Sequence, residues 1–219
     1  MLQRHRLSPL SASRLPALSA WCLPALAIAF TVILVGMAHA NDSVYSRVDE
    51  TTCRWDPPPA GEEEGDFGCA TCTGHGGYFL RLCEGDLRQS VFYGSVMPAE
   101  MSWNTFGQFN HAGPTVEWRL SQGEPVAAIH RFFIDNMNDS GEVDPARRGQ
   151  VLVVSTVARP DRPLSCPVGY VDTRVNANAN ALARQVADDI APGFRCGTDQ
   201  ASFYGSRGPY SGSPTGLSQ

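Results

Sequence analysis

Two cysteines and a histidine stand at short spacing in a glycine-rich stretch of the sequence: Cys69, Cys72 and His75. Two thiolates and an imidazole could hold a zinc ion in a tetrahedral site, with Cys53 or Cys83 as the fourth ligand. A redox-active thiol pair is a second possibility, although such pairs begin a helix and the glycines here disfavour one. In an oxidising compartment the thiols would be lost to disulfides, which leaves a glycine-rich turn with His75 exposed. We favour this third interpretation.

Charged or titratable residues inside otherwise apolar segments are the candidates for a binding site: Arg88, Glu117, Arg119 and His130. Asp172 has a similar setting. Such residues face solvent or form a paired cluster, and they would mark a site if several converged in one cleft. A lone histidine in a strand is more often a hydrogen-bonded structural residue than a base. Because no Gly-x-Ser-x-Gly or His-Glu-x-x-His motif is present, we predict no catalytic residue and favour a non-enzymatic role.

The acidic segment from Asp135 to Asp144 invites comparison with the calcium-binding loop of helix-loop-helix proteins. With Gly141 at the sixth position, the twelfth position falls on Arg147, where a bidentate acid belongs. We therefore interpret the segment as a polar hairpin loop, and we predict no metal and no cofactor.

The frame that would position these residues is clearest between residues 164 and 196. An extended segment, 164–172, precedes a helix predicted over 176–191, where apolar residues recur at a spacing of four. Cys166 and Cys196 stand on either side of this helix. A bond between them would close a loop of about 30 residues and stabilise the fold by roughly 3.6 kcal/mol.

Strand-like sequence patterns predict four further strands over 78–83, 87–93, 116–120 and 126–134. A fifth, over 149–157, is β-branched and apolar on both faces, which predicts a central strand. The first two form a hairpin with Gly85 in the turn. Aromatic residues three apart between Pro98 and Asn110 predict a short aromatic helix. The predicted fold is α+β, with a mostly antiparallel sheet of five to six strands, a C-terminal helix and a short aromatic helix, stapled by disulfides.

Residues 1–40 resemble a signal peptide, with early arginines, an apolar run and an Ala38-His39-Ala40 cleavage site. An uncleaved anchor is the alternative, because the apolar run approaches the length of a membrane span. We expect an irregular acidic, proline-rich arm over 41–68, a single α+β domain over 69–196 and a disordered tail over 197–219. The predicted location is the periplasm or the extracellular space.

Charge and cysteine usage fit export. The chain contains no lysine, and removing the leader changes its formal charge from −5 to −8 with scattered arginines, so no nucleic-acid or membrane partner is expected. The mature part keeps six cysteines, which predicts three disulfides. Besides Cys166–Cys196, three arrangements are open for the other four. We favour Cys53–Cys72 with Cys69–Cys83, because a bond between Cys69 and Cys72 would close a very tight loop.

Seven short segments carry a resemblance to other proteins: Cys72–Tyr78, Glu84–Arg88, Phe109–Asn110, Glu117–Arg119, Cys166–Asp172, Ala179–Arg184 and Phe194–Cys196. In their order and spacing, the chain resembles a family of secreted or periplasmic proteobacterial proteins that are uncharacterised and of unknown function. The resemblance covers most of residues 53–196 and implies export and a single domain. Relative to that family's pattern, Cys69 and Cys83 are an added pair, which supports the pairing of Cys53 with Cys72.

The sequence therefore predicts an exported, disulfide-containing binding or interaction module without catalytic function. Its partner would be an envelope protein or a small ligand. The alternative is a metalloprotein or thiol enzyme that uses Cys69, Cys72 and His75. A purely structural role in the envelope is not distinguished from the first prediction, and the oligomeric state is open.

Overall fold

The computed structural model describes residues 41–57, 67–98 and 101–216. Their regular elements are the following: β1 (Asp42–Arg47), β2 (Arg54–Trp55), β3 (Phe67–Thr73), β4 (Phe79–Gly85), β5 (Arg88–Gly94), β6 (Asn104–Phe106), β7 (Phe109–Ser121), β8 (Glu124–Asp135), β9 (Gly149–Thr156), β10 (Pro167–Asp172), α1 (Ala179–Asp189), β11 (Ser202–Phe203) and β12 (Pro214–Gly216). Short 3-10 helices occupy Glu50–Thr52 and Pro145–Arg147. The predicted signal peptide and the acidic run at 62–66 lie outside the described residues.

Ten of these strands form one sheet in the order β11-β10-β9-β8-β7-β5-β4-β3-β2, with β1 also paired to β7. Neighbours are antiparallel except β10 with β11 and β5 with β7. The sheet is therefore mixed and larger than the predicted five to six strands. Strands β1, β2, β3 and β11 were not predicted, because they are short or only partly apolar. Their hydrogen bonds to neighbouring strands identify them, whereas the alternation of apolar and polar residues does not.

Strand β5 contacts both β7 and the segment that follows β9. It meets β7 at its start, where Arg88 pairs with Asn110, and it meets the segment after β9 at its end, where Gly94 bridges Ala158. The chain β5-β7-β8-β9 consequently curls back on itself. The concave side of this curl holds a core of large side chains that includes Trp118, Tyr93 and Leu80.

Helix α1 packs on the opposite face, and its residues confirm the predicted C-terminal helix. Ala183 and Ala187 are fully buried and Val186 is 2% exposed, against Leu152 and Val154 of β9. The small alanine side chains let the helix lie close to the sheet. Burying a branched side chain such as that of Val186 contributes about 1.5 to 3 kcal/mol before entropy.

The short aromatic helix predicted over 98–110 is wrong. Residues 104–106 form β6, and β7 begins at Phe109. Phe106 is buried against Phe132 and Tyr170, with ring centroids 5.9 and 5.8 Å away. Phe106 and Phe109 therefore belong to separate strands, Trp103 precedes both, and their helical spacing is a coincidence.

The terminal segments are more ordered than the sequence predicted. In the arm expected to be irregular, β1 pairs with β7 over its whole length. In the tail expected to be disordered, β11 pairs with β10, and β12 pairs with β6. The tail is fixed by polar contacts: the Asp172 carboxylate accepts from the Gly208 backbone N–H at 2.9 Å, and the Asn176 side chain bonds both backbone groups of Ser206. The pattern of apolar residues in the sequence does not reveal polar contacts of this kind.

The predicted hairpin is confirmed, with the turn one residue further on than expected. Gly85 pairs with Arg88, so the two central turn residues are Asp86 and Leu87, both with positive φ (50° and 57°). A two-residue turn of this kind matches the right-handed twist of the flanking strands.

Among the described residues, no helix has the length and apolar character needed to cross a membrane.

The three predicted disulfides form: Cys53–Cys72, Cys69–Cys83 and Cys166–Cys196. Cys69 and Cys83 lie directly opposite each other on β3 and β4. Cys166 and Cys196 join the start of β10 to the segment after α1, with Cα atoms 5.8 Å apart. Disulfides of this number are typical of proteins that fold in an oxidising compartment.

Candidate functional site

The stretch with the densest cysteine chemistry is a covalent junction. Cys69 and Cys72 belong to two different disulfides, so neither sulfur is a thiolate. His75 lies half-buried in the turn after β3. The described residues contain no group of three or more histidine, cysteine or acidic side chains placed to hold a metal ion. The zinc and thiol arrangements considered from the sequence are therefore not assembled there.

Glu117 and Arg119 point from β7 toward α1 and form what we call the helix-face network: Ser43, Glu117, Arg119, Arg184 and Asp188. Arg119 donates to both Asp188 carboxylate oxygens, at 3.0 and 2.6 Å, and to Ser43 Oγ at 2.5 Å. Glu117 accepts from Arg184 Nε at 2.5 Å and from Ser43 Oγ at 2.5 Å. Each charge has an opposite partner, so the network joins β1, β7 and α1. The pairing also explains Asp188, a carboxylate near the negative end of the helix dipole.

His130 is buried on the other face of the sheet and is neutral. Burial lowers its pKa to about 4. Its Nε2 lies 2.5 Å from the carbonyl oxygen of Gly113, and its Nδ1 lies 2.8 Å from the Tyr93 hydroxyl oxygen. Because a carbonyl oxygen only accepts, Nε2 carries the proton, and Nδ1 accepts from Tyr93. Both ring nitrogens are thus used within the protein, as expected of a structural histidine.

Arg88 and Asp172 lie at two further places. Arg88 donates to the carbonyl oxygens of Gly107 and Asp86, and its guanidinium lies 5.0 Å from the Phe109 ring centroid. Asp172 is 2% exposed and accepts from the backbone N–H of Arg174 and Gly208. The candidates predicted from the sequence therefore do not line one cleft.

A groove of about 650 Å³ lies instead between the end of the sheet and the C-terminal segment. We call it the C-terminal groove, and its principal lining residues are Cys166, Tyr170, Cys196, Asp199, Phe203 and Arg207. It is more than twice the volume of the cavity beside His130, which measures about 240 Å³. The disulfide holds the β10 wall against the segment that follows α1.

Aromatic rings form one side of the groove. Tyr170 of β10 lies 5.3 Å from Phe203 of the paired strand β11, measured between ring centroids. The Arg207 guanidinium lies over the Phe203 ring, 4.4 Å from its centroid. Phe203 therefore contacts both the Tyr170 ring and the Arg207 guanidinium. Stacking on an aromatic face holds a guanidinium in place while its N–H groups stay available for a partner.

Tyr170 carries the one polar atom of this aromatic side. Its side chain is buried, with 8% of the residue exposed, and burial raises its pKa to about 12. The phenol is therefore a neutral hydroxyl at physiological pH. It has no hydrogen-bond partner within the described part of the chain, in contrast to Tyr93, whose hydroxyl bonds His130. Tyr170 therefore lines the groove with a neutral aromatic side chain whose hydroxyl is unpaired in the described structure.

Sequence reasoning missed Phe203 and Arg207 because they lie in the segment assigned to a disordered tail. Tyr170 was placed in an extended segment and was not considered a site residue. A signal was available, since Phe203, Tyr204 and Tyr210 make the tail more aromatic than disordered segments usually are. Comparisons of the chain with models of protein families, with curated proteins and with solved structures found no match.

Proposed function

We propose that this protein is an exported, disulfide-stapled binding module without catalytic function, and that its ligand occupies the C-terminal groove. The observation that carries the proposal is a contrast in how polar groups are used. Glu117, Arg119 and His130 are satisfied inside the protein. In the groove, neither the guanidinium of Arg207 nor the hydroxyl of Tyr170 has a charged partner among the described residues, and both side chains lie beside Phe203.

The shape and framing of the groove support the same function. Ligand sites are concave, are lined by aromatic residues with a few polar groups, and measure about 300 to 1,000 Å³. Its walls are fixed by the Cys166–Cys196 bond and by β11, which limits the ordering cost of binding. The three disulfides and the leader-like residues 1–40 support export. A small ligand is favoured over an envelope protein because the feature is a groove rather than a flat apolar patch.

A fragment screen on the oxidised mature chain, residues 41–219, tests the proposal by two-dimensional NMR. Aromatic and aliphatic fragments are expected to shift the backbone resonances of Tyr170, Phe203 and Arg207. Two matched variants place a tryptophan on the surface. Gln200→Trp fills the groove, because Gln200 lines it, whereas Gln185→Trp adds the same bulk to the exposed side of α1.

The expected result is that Gln200→Trp abolishes these shifts and Gln185→Trp leaves them unchanged. Fragments that bind both variants equally, or that shift resonances only outside the groove, would overturn the proposal.

Export has its own test, which is the intact mass of the protein recovered from the envelope. The expected mass corresponds to a chain that begins at Asn41 and lacks six hydrogen atoms.

A further inference from the structure

The charged residues in and beside the C-terminal groove include one more cation than anions. Of the described lining residues, Asp199 and Arg207 carry formal charges. Asp199 accepts from the backbone N–H of Arg195 at 2.8 Å and from its guanidinium at 2.7 Å. The hydrogen bond from the Arg195 side chain lowers the pKa of Asp199, so the carboxylate is ionised and already paired.

Arg207 has neutral partners. Its Nη2 donates to the carbonyl oxygen of Gly212 at 2.7 Å, and its Nε donates to Ser211 Oγ at 3.4 Å. No carboxylate among the described residues lies within ion-pair distance of its guanidinium. Within the described structure, the groove therefore keeps one positive charge that no carboxylate neutralises.

Building on the proposed binding function, we infer that the ligand is a small organic carboxylate. Its carboxylate binds Arg207, and its apolar body lies on the rings of Tyr170 and Phe203. A planar guanidinium matches a carboxylate geometrically, and its hydrogen bonds to an anion are about twice as strong as those between neutral groups. The free Tyr170 hydroxyl supplies a further donor on the same aromatic side.

The charge count favours a carboxylate over a phosphate. A phosphate monoester carries about −1.5 to −2 charges at neutral pH. Sites for such groups usually combine several cations or helix N-terminal N–H groups. The described lining of the groove supplies one unpaired cation, which balances one negative charge.

Two compounds of the same shape test the inference: 3-phenylpropionate and its neutral amide, 3-phenylpropionamide. Each is titrated into the oxidised mature chain at pH 7 and low ionic strength, and binding is followed by NMR shifts of groove residues. We expect the carboxylate to bind about tenfold more tightly than the amide, because it gains charge-assisted hydrogen bonds. Arg207→Gln should reduce this ratio to about one, and Arg207→Lys should restore part of it.

Arg54→Gln is the matched control, because Arg54 is an exposed arginine of β2 at the other end of the sheet order. It should leave the tenfold ratio unchanged. Equal binding of carboxylate and amide to the unsubstituted protein would overturn the inference and leave the proposed groove intact. A preference that survives Arg207→Gln would also overturn it, and so would a failure of the carboxylate to bind. The fragment screen tests the groove independently.

Discussion

The helix-face network and the C-terminal groove both contain arginine, and they use it in opposite ways. In the network, Arg119 pairs with Asp188 and Arg184 pairs with Glu117, so each charge is consumed in joining β1, β7 and α1. In the groove, Arg207 is held by an aromatic ring and by neutral oxygens. The same residue type therefore contributes to architecture in one region and remains available for recognition in the other.

This difference shows why charge inside an apolar segment is an ambiguous sign of function. Glu117 and Arg119 attracted attention because they interrupt an apolar strand, and that interruption reflects a paired cluster under the helix. The informative property of Arg207 is the absence of a charged partner in the described structure. Pairing depends on residues far apart in the chain, so a single sequence does not reveal it.

The largest expected effect concerns the disulfide that frames the groove. The double variant Cys166→Ala/Cys196→Ala opens a loop of 30 residues and should lower the free energy of unfolding by about 3.6 kcal/mol. It should also abolish ligand binding, because the segment after α1 is released from the β10 wall. Urea denaturation and the NMR titration measure the two effects. In the control Cys69→Ala/Cys83→Ala, a loop of 14 residues opens at a cost of about 3 kcal/mol, and binding should survive.

A second variant tests the helix-face network. Glu117→Gln removes the charge that Arg184 and Ser43 contact, and it should lower the free energy of unfolding by about 2 to 3 kcal/mol. The value lies below that of a fully buried pair because the Arg184 side chain is 39% exposed. Denaturation of Glu117→Gln, Arg184→Met and the double variant gives the coupling energy. A coupling near zero, or a loss of ligand binding, would contradict the separation of the two regions.

The pH dependence of stability tests His130. The folded pKa of about 4 lies below the ordinary value of 6.5, so the unfolded chain binds a proton that the folded chain does not. Stability should therefore fall as pH decreases from 6.5 toward 4, with a loss of about 2 kcal/mol between pH 7.5 and pH 5. Urea denaturation at both pH values measures this, and His130→Gln should remove the histidine contribution. An equal slope in His130→Gln would show that other groups cause it.

The smallest change in stability is expected for a substitution of Arg207. Arg207→Gln should change the free energy of unfolding by less than about 0.5 kcal/mol, because it removes a surface charge that has no ionic partner in the described structure. The same substitution should remove the preference of the groove for a carboxylate. If thermal or urea denaturation shows a loss comparable with that of Glu117→Gln, then Arg207 is a structural residue and the contrast fails.

Local sequence patterns predicted much of the frame. The β4–β5 hairpin, the strand containing Trp118 and helix α1 each follow from periodicity within a short window. The disulfide pairing followed from loop length, cysteine count and a resemblance. These features depend on neighbours in the chain, so a single sequence contains them.

The remaining features depend on contacts between distant residues. The tail is ordered by Asp172 and Asn176, each of which bonds backbone groups more than 25 residues later. The backbone of Tyr210 passes so close to Gly149 that a Cβ at this position would overlap the Tyr210 carbonyl oxygen. Such packing has no local signature, and it orders the segment that also carries Phe203 and Arg207 of the groove. The candidate site was therefore missed together with the order of the tail.

Intermolecular nuclear Overhauser effects show whether a ligand lies on the aromatic side of the C-terminal groove. With 3-phenylpropionate bound to the isotope-labelled mature chain, we expect contacts from the phenyl protons to the rings of Tyr170 and Phe203. We expect none to Tyr45, which lies beside the helix-face network. Contacts to Tyr45 without contacts to Tyr170 or Phe203 would place the ligand elsewhere and refute the proposed site.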